Sequence, residues 1–206
     1  MDLTGDKGNF CKLTEIILTI VPKYLRQYFK DEWDKANPLM IWNDSPADGK
    51  CLTTKIKIKY PFSDLKNALA QGNSNDWDPT ALFFVLCKSG VIIPHCRDPP
   101  KRVAPLRDSE NIDKLRIIRN EFFAHRSSTS LSLIEFNQAI MDIENVFRIF
   151  NWMNGLLEID AVKKSMITTP LSQYMEQQLD AAIHLNNSYH ALERDVRGLQ
   201  FASLIF

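Results

Sequence analysis

The side chains best placed to do chemistry lie in Ile112-Asp113-Lys114-Leu115-Arg116-Ile117-Ile118-Arg119-Asn120-Glu121-Phe122-Phe123-Ala124-His125. Wound as a helix, this stretch gathers Ile112, Leu115, Ile118 and Phe122 into one apolar stripe. Arg119 falls roughly 60° to one side of the stripe and His125 roughly 60° to the other. Both therefore point to the edges of a buried face rather than to bulk water. A guanidinium and an imidazole flanking a half-buried groove can grip a phosphate and move a proton. The same geometry has a structural reading, in which Arg119 pairs with a carboxylate and His125 caps the end of its helix.

Other chemistries find no support in the residues. The seven glycines are scattered and form no phosphate-binding loop, and there is no HExxH, nucleophile elbow or calcium loop. His184 and His190 sit in a heptad-patterned stretch and His95 in a proline-rich one, where a structural or solvated role is expected. Cys11, Cys51, Cys87 and Cys96 have neither metal-ligand nor redox spacing and read as reduced thiols. No metal and no cofactor is expected.

The elements that must position Arg119 and His125 are mostly helical. Leu13, Ile16, Ile17, Ile20, Val21, Leu25, Tyr28 and Phe29 recur at helical spacing, with Pro22 marking a kink or a fresh start. Residues 37–62 carry turn signals at Asn43-Asp44-Ser45-Pro46 and Asp48-Gly49. The alternation Lys55-Ile56-Lys57-Ile58-Lys59 that follows suggests a short edge strand. Asp78-Pro79 is a cap and first-turn signal for a helix over Thr80–Lys88, with Gly90 as its stop. A surface loop from Pro94 to Pro105 leads to a helix at about 109–124, opened by Ser109 with Glu110 and Asp113 in its first turn. Ser132 and Glu135 form a capping box, with Leu131 and Phe136 placed as a hydrophobic staple. The buried face of that helix is expected to be Phe136, Ile140, Ile143, Phe147 and Phe150. The chain thus divides into a helical bundle over 1–160 and a C-terminal helix over 161–206. Along that helix, Leu171, Met175, Gln178, Ala182, Leu185, Tyr189, Leu192, Val196 and Leu199 alternate steps of four and three. Such a seam either packs along its own domain or forms a dimerising stalk.

Charge narrows the partners. In 206 residues, 25 basic side chains balance 25 acidic ones, so no global field draws the chain to nucleic acid or to an anionic membrane. The basic surplus is local. Residues 95–126 hold eight Lys/Arg against five Asp/Glu, whereas residues 127–206 hold five against nine. Arg97, Lys101, Arg102, Arg107, Arg116 and Arg126 therefore offer an approach to Arg119 and His125, or simply a solvated surface. The longest apolar run, Leu82–Cys87, is too short to cross a bilayer, and the N-terminus lacks a secretory signal layout. A soluble, cytoplasmic protein is expected. The apolar end, Phe201 to Phe206, looks cut from a longer chain.

The string IRNEFFAH resembles the signature of the HEPN superfamily (higher eukaryote and prokaryote nucleotide-binding domains): Arg, a polar residue, a short spacer, His. More narrowly, DSENIDKLRIIRNEFFAH resembles the DAZ-interacting zinc-finger protein (DZIP)-like HEPN family. VPKYLRQYF, NDWDPTALFFVLCKSGVIIP and SLSLIEFNQAI are similar, in order, to that family's neighbouring helices. The resemblance covers about residues 13–155. It departs at Lys88-Ser89, where the family often has Arg-Asn. It implies an all-α, HEPN-type helical bundle that dimerises and sets two motifs across one cleft. Many HEPN domains are metal-independent endoribonucleases, and others bind RNA or serve as assembly modules in signalling proteins. Carried over by residue, His125 is the general acid/base, Arg119 holds the scissile phosphate, and Asn120 orients the pair or the substrate. The expected function is cleavage of single-stranded RNA by a homodimer within a larger protein, the alternative a silent dimerisation or protein-interaction module.

Overall fold

A computed structural model of the chain describes residues 2–3, 5–56, 63–88, 106–123, 130–168 and 177. These residues form an all-α helical bundle closed by a single two-residue β-bridge. Helix α1 (Asp6–Glu15) passes through a π-helical turn (Ile16–Ile20) into α2 (Val21–Ala36). The helix neither stops nor restarts at Pro22. The Val21 N–H bonds the Ile16 carbonyl five residues back, so the ladder is widened just where Pro22 has no N–H to offer. The rod is the axis of the core, with Leu13, Ile16, Leu25, Phe29 and Trp33 at most 1% exposed.

Two aromatic clusters pack along α2. Phe29 and Trp33 meet Trp42 and Trp77, and the Phe29 and Trp42 rings stand edge to face with centroids 4.7 Å apart. Further along, Tyr24 and Tyr28 meet Phe147, Phe150 and Trp152. Fully burying each such ring stabilises the fold by about 2–3 kcal/mol in transfer terms.

Helix α3 (Pro46–Lys55) overturns two expectations. Ser45 and Asp48 form a full capping box, so residues that read as a turn begin a helix. Lys55 and Ile56, read as the start of an edge strand, instead close α3, and the buried Ile56 is its C-cap; Lys57, Ile58 and Lys59 lie outside the described residues. Gly49 lies inside α3 because α4 (Ser63–Gln71) comes too close for a side chain. An added Cβ would stand 2.5 Å from both the Leu69 carbonyl oxygen and the Gly72 nitrogen.

After a 3-10 turn (Ser74–Asp76), α5 (Pro79–Phe83) starts as expected, the Asp78 carboxylate accepting the Ala81 N–H at 2.7 Å. A second π-helical turn (Phe84–Lys88) extends it; Gly90 and the loop from Pro94 to Pro105 lie outside the described residues. Helix α6 (Leu106–Phe123) begins three residues ahead of Ser109, which puts Asp108, not Glu110 or Asp113, in its first turn. Its stripe is as expected: Ile112, Leu115 and Ile118 are buried, and Phe122 is half-buried against the core.

Helix α7 (Leu133–Ile149) carries the expected capping box, with Leu131 and Phe136 both buried at its start. Phe136, Ile140, Ile143 and Phe147 are buried, and Phe150 is partly so. Helix α8 (Met153–Lys164) follows, then β2 (Ile167–Thr168), which pairs antiparallel with β1 (Asp2–Leu3). The Asp6 carbonyl accepts the Leu131 N–H, and Lys12 donates to the Lys163 carbonyl, so the first helix is tied to the segment that enters α7 and to α8. Beyond Thr168 only Gln177 is described, and the heptad-patterned stretch lies outside the described residues.

Candidate functional site

Helix α6 carries Arg119 inward. Its neighbours Leu115 and Ile118 bury against the core, and the register sweeps Arg119 under the start of α5, leaving it only 5% exposed. Its Nη2 donates to the Thr80 hydroxyl at 2.6 Å, and its Nη1 donates to the Asn120 side-chain carbonyl at 2.9 Å. Thr80 is placed by the Asp78 cap and by Pro79, which start α5 at a fixed point. The guanidinium is thus held by neutral oxygens from two helices.

Electrostatics at Arg119 set burial against neighbouring charge. Burial pulls its pKa below the ordinary arginine value. The Asp78 carboxylate opposes that shift, and the positive Arg116 adds to it. An arginine remains protonated under such a shift, so the seam between α5 and α6 contains a positive charge. Asn120 is half-buried, and with Oδ1 engaged by Arg119 its Nδ2 is the end turned to donate elsewhere.

The expected site residues divide cleanly. Arg119 and Asn120 are brought into direct contact. Arg116 lies on the same helix, about one-third exposed, and its Nε donates to Asp113 at 2.6 Å. Arg107 lies in the first turn of α6, and its side chain is outside the described residues. His125, Arg97, Lys101, Arg102 and Arg126 also lie outside them; α6 is described as far as Phe123, two residues short of His125.

Sequence reasoning missed Thr80 and Asp78 as partners of Arg119. The Asp78-Pro79 signal announced the helix but not the helix against which it would pack. Among the described residues no cluster of His, Cys, Asp or Glu is arranged to hold a metal ion. No helix among them is long and apolar enough to cross a membrane. Among the described residues, Cys11, Cys51 and Cys87 form no disulfide. What the arrangement offers chemically is a fixed positive charge and an oriented amide donor beside it. No known family model, curated protein or solved structure matches the chain.

Proposed function

We propose that the chain is a DZIP-like HEPN domain that cleaves single-stranded RNA without a metal ion, as a homodimer and as the cytoplasmic effector or RNA-sensing part of a larger signalling protein. The observation that carries this reading is the Arg119–Asn120 contact on α6, in the arginine-then-polar order of the HEPN signature. The all-α bundle is consistent with such a domain.

In this reading His125 accepts the proton of the 2′-hydroxyl, and the freed oxygen attacks the adjacent phosphorus. The bond to the 5′-oxygen breaks, and His125 of the second copy returns a proton to that oxygen. Products are a 2′,3′-cyclic phosphate and a 5′-hydroxyl. Arg119 supplies positive charge to the phosphate as its oxygens gain negative charge, and it holds Asn120 so that Nδ2 donates to the substrate. Arg97, Lys101, Arg102, Arg107, Arg116 and Arg126 line the approach. The balanced net charge implies few phosphate contacts and weak, salt-sensitive binding. The test is end-group analysis of RNA incubated with the protein, beside DNA of the same sequence. Cyclic phosphate ends from RNA and an untouched DNA strand are expected, because only RNA carries the 2′-nucleophile.

The second reading is a catalytically silent dimerisation or protein-interaction module. Its supporting observation is the depth of Arg119, whose bonds to Thr80 and Asn120 fasten α6 to α5 whether or not a substrate is present. The end-group experiment separates the two, since a silent module leaves RNA intact.

A further inference from the structure

A groove of about 620 Å³ runs between α6 and α7, away from the contact of Arg119 with α5. Its apolar surface includes Ile118, Phe122 and Ile134, and its rim includes Glu121, Glu135 and Asp142. Among the described lining residues there are three carboxylates and no Lys, Arg or His. Ile134 is 83% exposed, and Met141, two helical turns further along the same face of α7, is also exposed. An exposed isoleucine beside a groove of this size offers an apolar surface on which a partner can dock.

The charge says what kind of partner that is. The three carboxylates of the described lining repel a polyanion and attract a cationic partner. Asp142 is steadied by Gln138, which donates to it at 3.0 Å, and Glu135 is fixed by the capping box with Ser132. Two of the carboxylates are therefore anchored before any partner arrives.

We propose that the α6–α7 groove docks an amphipathic helix of a partner protein, one whose apolar stripe is flanked by lysines or arginines. The stripe covers Ile118, Phe122 and Ile134, and the basic flanks meet Glu121, Glu135 and Asp142. This assignment does not rest on the nuclease reading, because Arg119 is not among the described residues that line the groove.

The test is fluorescence anisotropy with two labelled helical peptides of identical apolar stripe, one flanked by lysine and the other by glutamate, added to the full chain. The lysine-flanked peptide binds, and the glutamate-flanked one binds at least about tenfold more weakly. Ile134→Asp, at a solvent-exposed position that folding does not need, weakens the lysine-flanked peptide by about tenfold or more, as does Asp142→Lys. Equal binding of both peptides, or binding indifferent to Ile134→Asp, overturns the proposal. So does self-association of the chain that Ile134→Asp abolishes, which would make the occupant a second copy.

Discussion

Arg119 and Thr80 are joined by a 2.6 Å hydrogen bond that spans 39 positions of sequence and fixes the C-terminal part of α6 to the first turn of α5. Arg119 is buried and Thr80 half-buried, and the same guanidinium also holds the Asn120 side chain. Whatever the HEPN-like string does chemically, its arginine is part of how two helices stay in register.

Three substitutions separate that structural part from chemistry. Thr80→Val keeps the shape of the side chain but strands one guanidinium donor, and should lower stability by about 1–3 kcal/mol in chemical denaturation. Arg119→Ala removes the donor, leaves the half-buried Thr80 and Asn120 oxygens without it and opens a cavity, at a cost of about 2–3 kcal/mol. If Arg119 serves the fold alone, Thr80→Val and Arg119→Ala lower activity only in proportion to the unfolded fraction. If it also serves the phosphate, a folded Arg119→Lys protein loses cleavage beyond that fraction, because lysine lacks the planar fork.

Asp44 predicts an acid transition. Burial alone would raise its pKa, but hydrogen bonds from Lys30, Ser74 and Trp42 outweigh it and bring the carboxyl down to about 2. A depressed folded-state pKa means that its stabilisation is present above the unfolded value of 3.8 and is lost as pH falls towards 2. The amount at stake is about 2 kcal/mol, with Asp44 itself mostly shielded from water. Thermal melts of wild type and Asp44→Asn at pH 7 should differ, and the gap should close between about pH 4 and pH 2. A gap that persists unchanged at pH 2 contradicts this account of Asp44.

Gly49→Ala tests the close approach of α3 and α4. Alanine is the better helix former, so propensity alone would stabilise by about 1 kcal/mol. The clash of its Cβ with backbone at 2.5 Å wins instead, and denaturation should show a net loss of about 1–3 kcal/mol. A gain in stability would mean that the two helices stand further apart.

How much of this was legible in the sequence depends on whether each signal was local. The Ser132–Glu135 box and the Asp78-Pro79 start were readable because a cap is decided within four residues. The box at Ser45 was equally local, but Asp48 stands where Glu or Gln is usual, and the adjacent Gly49 reads as a turn. That glycine answers a tertiary demand from α4 that no spacing announces. The π-helical turn before Pro22 has the same character, since the proline was visible but the way the helix absorbs it was not. At the site, helical angles placed Arg119 at the edge of the buried stripe. Its full burial comes from α5, whose packing partner no local pattern names. The all-α class was legible from periodicity, which is the most redundant signal in the chain.

The most direct test of the central claim is cleavage of a mixed-sequence single-stranded RNA in EDTA, wild type beside His125→Ala, with oligomeric mass and folding recorded on the same samples. The account predicts cleavage by a wild-type dimer that leaves 2′,3′-cyclic phosphate ends, and none by an equally folded His125→Ala dimer. A folded His125→Ala protein that cuts at the wild-type rate, or a folded wild-type dimer that leaves the RNA intact, contradicts it.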